Sequence, residues 1–217
     1  MKRKFSISEV VNILLALAIV VIVAQNHIHG NKHANTQTTL DSKENVTLST
    51  IHERKSVRNF IPRKMVSKED ILSLVKAGMA APTARNAQPW EIIAITDTHA
   101  LNVLGTNLPY AKMLAQAGAA IIVCGNMNNA LEGDAQAYWI QDCSAATQNI
   151  LLAAESMGLG AVWTGVFPIQ DRVLTVKEAL HLPSEIIPLA VIPIGYPTGV
   201  DKAKVKFTET KLHWEKW

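Results

Sequence analysis

Six consecutive apolar residues, Ala119-Ala120-Ile121-Ile122-Val123-Cys124, leave no side of that segment for water. Alternate side chains of a strand point to opposite faces. An all-apolar strand therefore has to be covered on both. The surrounding chain offers helices for the purpose. Ser67-Lys68-Glu69-Asp70 reads as an N-cap with acids in the first turn, and Ile71, Leu74, Val75 and Met79 follow at helical spacing up to Ala81-Pro82. A long helix is expected from Asp134 to Met157, with Ile140, Cys143, Thr147, Ile150, Leu151, Ala154 and Met157 on one face. Shorter helices are expected over Asp97 to Leu104, over Tyr110 to Ala117 and from Pro168 to about Leu180. Further strands are expected at Trp90 to Thr96, at Ala161-Val162-Trp163 and at Ile187 to Ile194. In the last of these, Pro188 and Pro193 must occupy places where an N–H is dispensable. This alternation predicts an α+β domain, an α/β three-layer sandwich with a central mixed sheet flanked by helices.

The first part of the chain reads differently. Lys2, Arg3 and Lys4 precede Ile13 to Ala24, an unbroken apolar run. Counted from Val10 the run has 15 residues, interrupted only by Asn12. That suits a signal-peptide core better than a full span, which needs about 20 residues. Residues 1–24 are accordingly expected to be a signal peptide or a membrane anchor, 25–47 a polar linker, and 48–217 the globular domain. The basic start predicts a domain exported or held on the far side of a membrane, with a cytoplasmic face as the alternative. His27, His29 and His33 read as part of a solvated tail, because no cysteine or carboxylate stands at ligand spacing. A net charge of +3 gives no argument for nucleic acid, and much of the surplus sits in Lys2-Arg3-Lys4 and between Lys202 and Lys211. Cys124 and Cys143 read as small buried hydrophobes.

Hydrolytic and metal chemistry find no support. The chain has no GxSxG, HExxH or Walker loop, and no GxGxxG after a strand. Two segments do carry chemical meaning. Arg54-Lys55-Ser56-Val57-Arg58 puts three cations and a hydroxyl within five residues, which matches a doubly charged phosphate monoester. Alone, such a cluster is more often a solvated basic turn. Ala81 to Trp90 is the second segment: Pro82 and Pro89 fix its backbone, Thr83 and Asn86 offer hydrogen bonds, and Trp90 anchors it. A rigid polar loop of this kind suits a heteroaromatic ring.

Together these segments resemble the nitroreductase family of flavin mononucleotide (FMN) enzymes. Its opening Arg-x-Ser-x-Arg/Lys is matched by Arg54 to Arg58, and its Pro-Ser/Thr-x-x-Asn-x-Gln-Pro-Trp by Pro82 to Trp90. Gly158 to Gly165 resembles the strand and loop that lie along the flavin, and Pro193-Ile194-Gly195-Tyr196-Pro197 the final strand before a basic tail. The resemblance implies a nitroreductase-like fold and a homodimer with exchanged C-terminal arms. It also implies that Arg54, Lys55, Ser56 and Arg58 hold the phosphate and ribityl chain, completed by Lys204 or Lys206. Pro82, Thr83 and Asn86 would approach the same flavin from the other subunit, and Thr164 and Gly165 would present backbone N–H groups near flavin N5.

Lys112 is the only charged residue between Asp97 and Glu132. A cation there would stabilise the charge that the flavin's pyrimidine edge gains on reduction, the alternative being a surface lysine on a short helix. The expected activity is hydride transfer from NAD(P)H through flavin N5 to nitroaromatic- or quinone-type acceptors. A membrane-tethered flavin electron carrier without a fixed substrate is the other reading, with membrane contact only through the N-terminal segment.

Overall fold

The computed structural model describes residues 45–217. The expected signal or anchor segment, 1–24, and most of the expected linker lie outside the described residues. Residues 45–53 form helix α1, so the chain is already helical within the stretch expected to be linker. The chain divides into two units after Ser49, and the second, Thr50–Trp217, holds the sheet and the helices that cover it. Among the described residues, no helix is long and apolar enough to cross a membrane.

Helices α2 (Lys68–Met79), α3 (Thr98–Asn107), α4 (Tyr138–Ser156) and α5 (Gln170–Leu180) alternate with strands β1 (Trp90–Ile95), β2 (Ala119–Asn126), β3 (Gly160–Ala161), β4 (Thr164–Gly165) and β5 (Ile186–Gly195). The strands run in the order β1-β2-β5-β3, with β4 also pairing β5. Every one of these pairings is antiparallel, where a mixed sheet was expected. β2 and β3 both run antiparallel to β5, so α4 carries the chain back along the sheet between two strands of the same direction that flank β5 and do not pair with each other.

β2 shows why the sandwich has three layers. Ala119, Ile121 and Val123 enter one core with Leu74 of α2 and Ala146 and Ile150 of α4. Ala120, Ile122 and Cys124 enter the other with Leu101 and Leu104 of α3 and Val173 and Val176 of α5. Ile121 and Ile122, neighbours in sequence, are both fully buried on opposite faces. Burial of such a side chain contributes about 1.5–3 kcal/mol. Local signals fix the helix ends. Ser67 accepts from Asp70 N at 2.9 Å at the start of α2, and Asp97 accepts from Ala100 N at 2.8 Å at the start of α3.

Four expectations change. The long helix begins as a 3-10 turn over Gly133–Ala137 before α4 proper, its buried face includes Trp139 and Asp142, and Met157 is exposed. Tyr110 to Ala117 contains only a 3-10 turn, Lys112–Ala115. The expected strand at 161–163 is split into β3 and β4, with Val162 and Trp163 between them. β5 is central despite its two prolines. Pro188 falls at the register shift between Val123 and Cys124, and Pro193 lies opposite the gap between β3 and β4, where that side of the ladder has no partner.

Both cysteines are buried, and Cys143 Sγ donates to Cys124 O at 3.4 Å. Burial pushes both thiols up to about 12. Since the thiolate is the reactive form, only about one thiol in ten thousand is ionised at pH 8. Ellman's reagent at pH 8 is therefore expected to leave the native protein unlabelled over minutes and to titrate both thiols after guanidinium unfolding. Fast labelling of either in the native state would contradict this.

Candidate functional site

The site begins where α1 ends. Arg54 N donates to Thr50 O at 3.0 Å, and the chain then runs extended beside the sheet. Val57 N donates to Ala161 O at 3.0 Å, Ile61 N to Tyr196 O at 2.8 Å, and Phe60 bridges Pro197. Val57 and Phe60 are buried, which turns the residues beside Val57, Ser56 and Arg58, outward. Val57 can sit so low only because residue 160 is glycine: a Cβ there would lie 2.6 Å from Val57 Cγ1.

Asp201 ties the C-terminal tail to this segment. Its carboxylate accepts from Arg58 N at 3.2 Å, Asn59 N at 3.1 Å and Asn59 Nδ2 at 3.2 Å, while Thr198 N donates to Asn59 O at 3.0 Å. The tail lysines Lys202, Lys204 and Lys206 then face Arg54, Ser56 and Arg58 around a cavity of about 530 Å³. Lys55 also lines it, but its ammonium bonds Glu155 Oε1 of α4 at 2.5 Å. That ion pair fastens the segment to the helix.

A second cavity, of about 400 Å³, adjoins the first, and Arg58 lines both. Thr164 and Gly165 of β4 form part of its wall, with Lys112, Met113, Tyr110 and Trp163 around them. The buried Thr164 hydroxyl donates to Val191 O, which keeps the side chain in the protein and its backbone toward the cavity. A Cβ placed on Gly165 would meet nothing within 4 Å, so a flat molecule can lie against that backbone. Arg172 of α5 closes the rim. Its Nη1 donates to Gly165 O at 3.1 Å, and its guanidinium lies 5.1 Å from the centre of the Tyr110 ring.

Pro82, Thr83 and Asn86 line neither of these cavities. They belong to a loop with three non-glycine residues at positive φ, Arg85 (52°), Asn86 (56°) and Gln88 (48°). Such conformations cost about 1–3 kcal/mol each and persist only where surroundings impose them. The buried Asp142 does so by accepting from Ala84 N at 2.9 Å, helped by Gln88 N to Thr83 Oγ1 at 3.2 Å and Gln88 Nε2 to Asn86 Oδ1 at 2.9 Å.

Sequence reasoning thus found Arg54, Ser56, Arg58, Lys112, Thr164, Gly165, Lys204 and Lys206 at the two cavities and missed Asp201, Tyr110 and Arg172. Nothing periodic marks these three. Among the described residues, no group of histidines, cysteines and carboxylates could hold a metal ion. FMN fits what is present. Two guanidinium forks, lysines and a hydroxyl in the first cavity would suit its phosphate, and a bare glycine backbone beside apolar side chains in the second would suit its ring.

The nitroreductase family model matches residues 51–107 and 104–196. A protein of Archaeoglobus fulgidus, provisionally named NADH dehydrogenase/NAD(P)H nitroreductase, is 39% identical over 173 residues, 78% of this chain and 98% of that protein. The crystal structure of a protein of the same provisional name from Bacteroides thetaiotaomicron superposes with a TM-score of 0.74 at 48% identity, covering 79% of this chain and 98% of the other. A provisionally named nitroreductase from Desulfovibrio desulfuricans, solved in complex with FMN, superposes at 0.67 with 25% identity over 79% of this chain and 97% of its own. The fold, the paired cavities and these likenesses lead to one assignment: the chain belongs to the nitroreductase family.

Proposed function

We propose that the chain carries FMN across the two cavities and acts as an NAD(P)H-dependent oxidoreductase, reducing nitroaromatic- or quinone-type acceptors. The observation that carries this reading is the junction at Arg58. A strongly basic cavity opens there onto an apolar one with an uncovered glycine backbone. Bound FMN supplies the acceptance and donation of hydride. The chain supplies the rest. Arg54 and Arg58 hold the phosphate, Ser56 donates its hydroxyl, and Lys204 and Lys206 close over it from the tail. Lys112 stands at the ring cavity as a cation for the pyrimidine edge. Thr164 and Gly165 set the height of the ring, while Trp163 and Tyr110 limit water above it. No carboxylate lines the ring cavity, which supports a transfer that needs no protein acid or base.

The working unit in this proposal is a homodimer. Two observations favour it: Pro82, Thr83 and Asn86 are rigidly held away from their own chain's cavities, and the tail exposes Val205, Phe207, Trp214 and Trp217. Such apolar surface ordinarily marks an interface. The basic and apolar N-terminal sequence supports an exported or membrane-anchored domain. Protease treatment of intact spheroplasts tests this, and a protected domain would place it on the cytoplasmic side.

Purified protein reconstituted with FMN is expected to be yellow, and NADH or NADPH is expected to bleach it rapidly under anaerobic conditions. Colourless protein would refute the assignment. A finer test is Gly165→Val. A Cβ at this position meets no atom within 4 Å outside its chain neighbours and φ there is not positive, so the melting temperature of the cofactor-free protein should hold while FMN affinity falls more than about tenfold. Full flavin occupancy in this variant would displace the ring from β4.

A further inference from the structure

Arg172 is the cation that the cofactor reading leaves over. Three cations line the ring cavity, Arg58, Lys112 and Arg172, and no carboxylate accompanies them. Arg58 is shared with the phosphate cavity and Lys112 is assigned to the ring edge. Arg172 lies on another side: with Tyr110 and Gly165 it also lines a small neighbouring cavity that contains neither Arg58 nor Lys112. It projects from α5, a helix packed on the core through Val173 and Val176, so its base is fixed.

The guanidinium is also pre-set. One Nη1 hydrogen bond to Gly165 O and the face of Tyr110 hold its plane at the rim. Its remaining N–H donors have no described partner, and the only ion pair among the described residues is Lys55–Glu155. A half-buried guanidinium held in one orientation, without a counter-ion, beside an apolar slot is built for a planar anion. It offers a fork that matches a carboxylate, and little rotamer freedom remains to be lost on binding.

We propose that Arg172 receives a carboxylate carried by the aromatic acceptor, so that this protein favours anionic nitroaromatic or quinone acceptors over neutral ones. The inference rests on the FMN reading above and adds the substrate class. It concerns recognition only: the acceptor's ring stacks on the flavin that Gly165 supports and its carboxylate reaches Arg172 at the rim, which orients the reducible group toward the flavin.

The test uses the FMN-loaded protein with saturating NADH and compares kcat/KM for 4-nitrobenzoate with that for nitrobenzene. Losses common to both acceptors cancel in the ratio. In Arg172→Ala the ratio is expected to fall about tenfold, and in Arg172→Glu further still. Tyr110→Leu, which removes the brace and keeps the charge, should lower it by a smaller factor. A ratio within twofold of wild type in Arg172→Ala overturns the proposal. So does a rise in KM for NADH or NADPH with the ratio unmoved, since the guanidinium would then serve the donor. Loss of flavin from Arg172→Ala overturns it as well, by placing the residue in cofactor binding. Failure of the wild-type protein to take up FMN or to bleach would instead refute the FMN reading itself, so the two failures are distinguishable.

Discussion

Replacing Arg54 by alanine is expected to weaken FMN binding about 10- to 100-fold while the cofactor-free protein melts where the wild type does. The separation of the two effects follows from what Arg54 touches. Its backbone closes α1 through Thr50 O, a bond that alanine keeps. Its guanidinium lines the 530 Å³ cavity and forms no ion pair among the described residues. Truncation therefore removes a charge-assisted contact to phosphate and no ion pair among the described residues. Isothermal titration with FMN, with riboflavin as a control lacking the phosphate, reads the effect. The loss should appear for FMN and be nearly absent for riboflavin. Equal losses for both would mean that Arg54 supports the ring end or the fold and that the phosphate lies elsewhere.

A larger disturbance is expected from Gly160→Val, through steric rather than electrostatic means. Even the Cβ would meet all three side-chain atoms beyond Val57 Cα, at 2.6, 2.9 and 3.1 Å. Val57 is buried and its N–H is tied to Ala161 O, so it cannot swing aside without freeing the whole Arg54–Arg58 segment. Overpacking of this kind costs about 1–3 kcal/mol, or roughly 2–12 °C in melting temperature for a domain of this size. FMN affinity should fall with it, because the displaced segment carries the phosphate ligands. Combining Gly160→Ala with Val57→Ala should recover much of what Gly160→Ala alone loses, since the second change vacates the space. Strict additivity of the two losses would show that the contact does not matter.

Much of this architecture was legible in the chain because it follows periodic rules. The all-apolar β2 demanded two covering layers, and the cap at Ser67 fixed the start of α2. The Arg54–Arg58 segment was legible as a cluster of charge, and Thr164-Gly165 only through the family resemblance. What escaped was non-local. Asp201 acts on backbone N–H groups more than 140 residues earlier in the chain. In sequence it is only one acid ahead of several lysines. Asp142 looks like a polar interruption of a helix face until the strained loop at Ala84 is laid against it. Lys55 was grouped with its neighbours by charge, and its ion pair with Glu155 follows from the packing of α4, which no local pattern announces. Arg172 resembles any solvent-facing cation of an amphipathic helix, because the ring it braces against, Tyr110, lies far from it in sequence.

The tail fastening has a kinetic side. Asp201 is the only carboxylate lining the phosphate cavity, and backbone and amide N–H groups already occupy it. The surrounding arginines and lysines outnumber that carboxylate, which leaves a concentrated net positive field over an open mouth. Such a field draws multiply charged anions in from a distance and loses its reach as dissolved ions accumulate, over a Debye length of about 10 Å at 0.1 M. Capture of the cofactor should thus be fast in dilute buffer and slow markedly in concentrated salt, with escape much less affected. In the proposed reading the tail would serve as a collector that works before any contact is made, as well as a clasp afterwards.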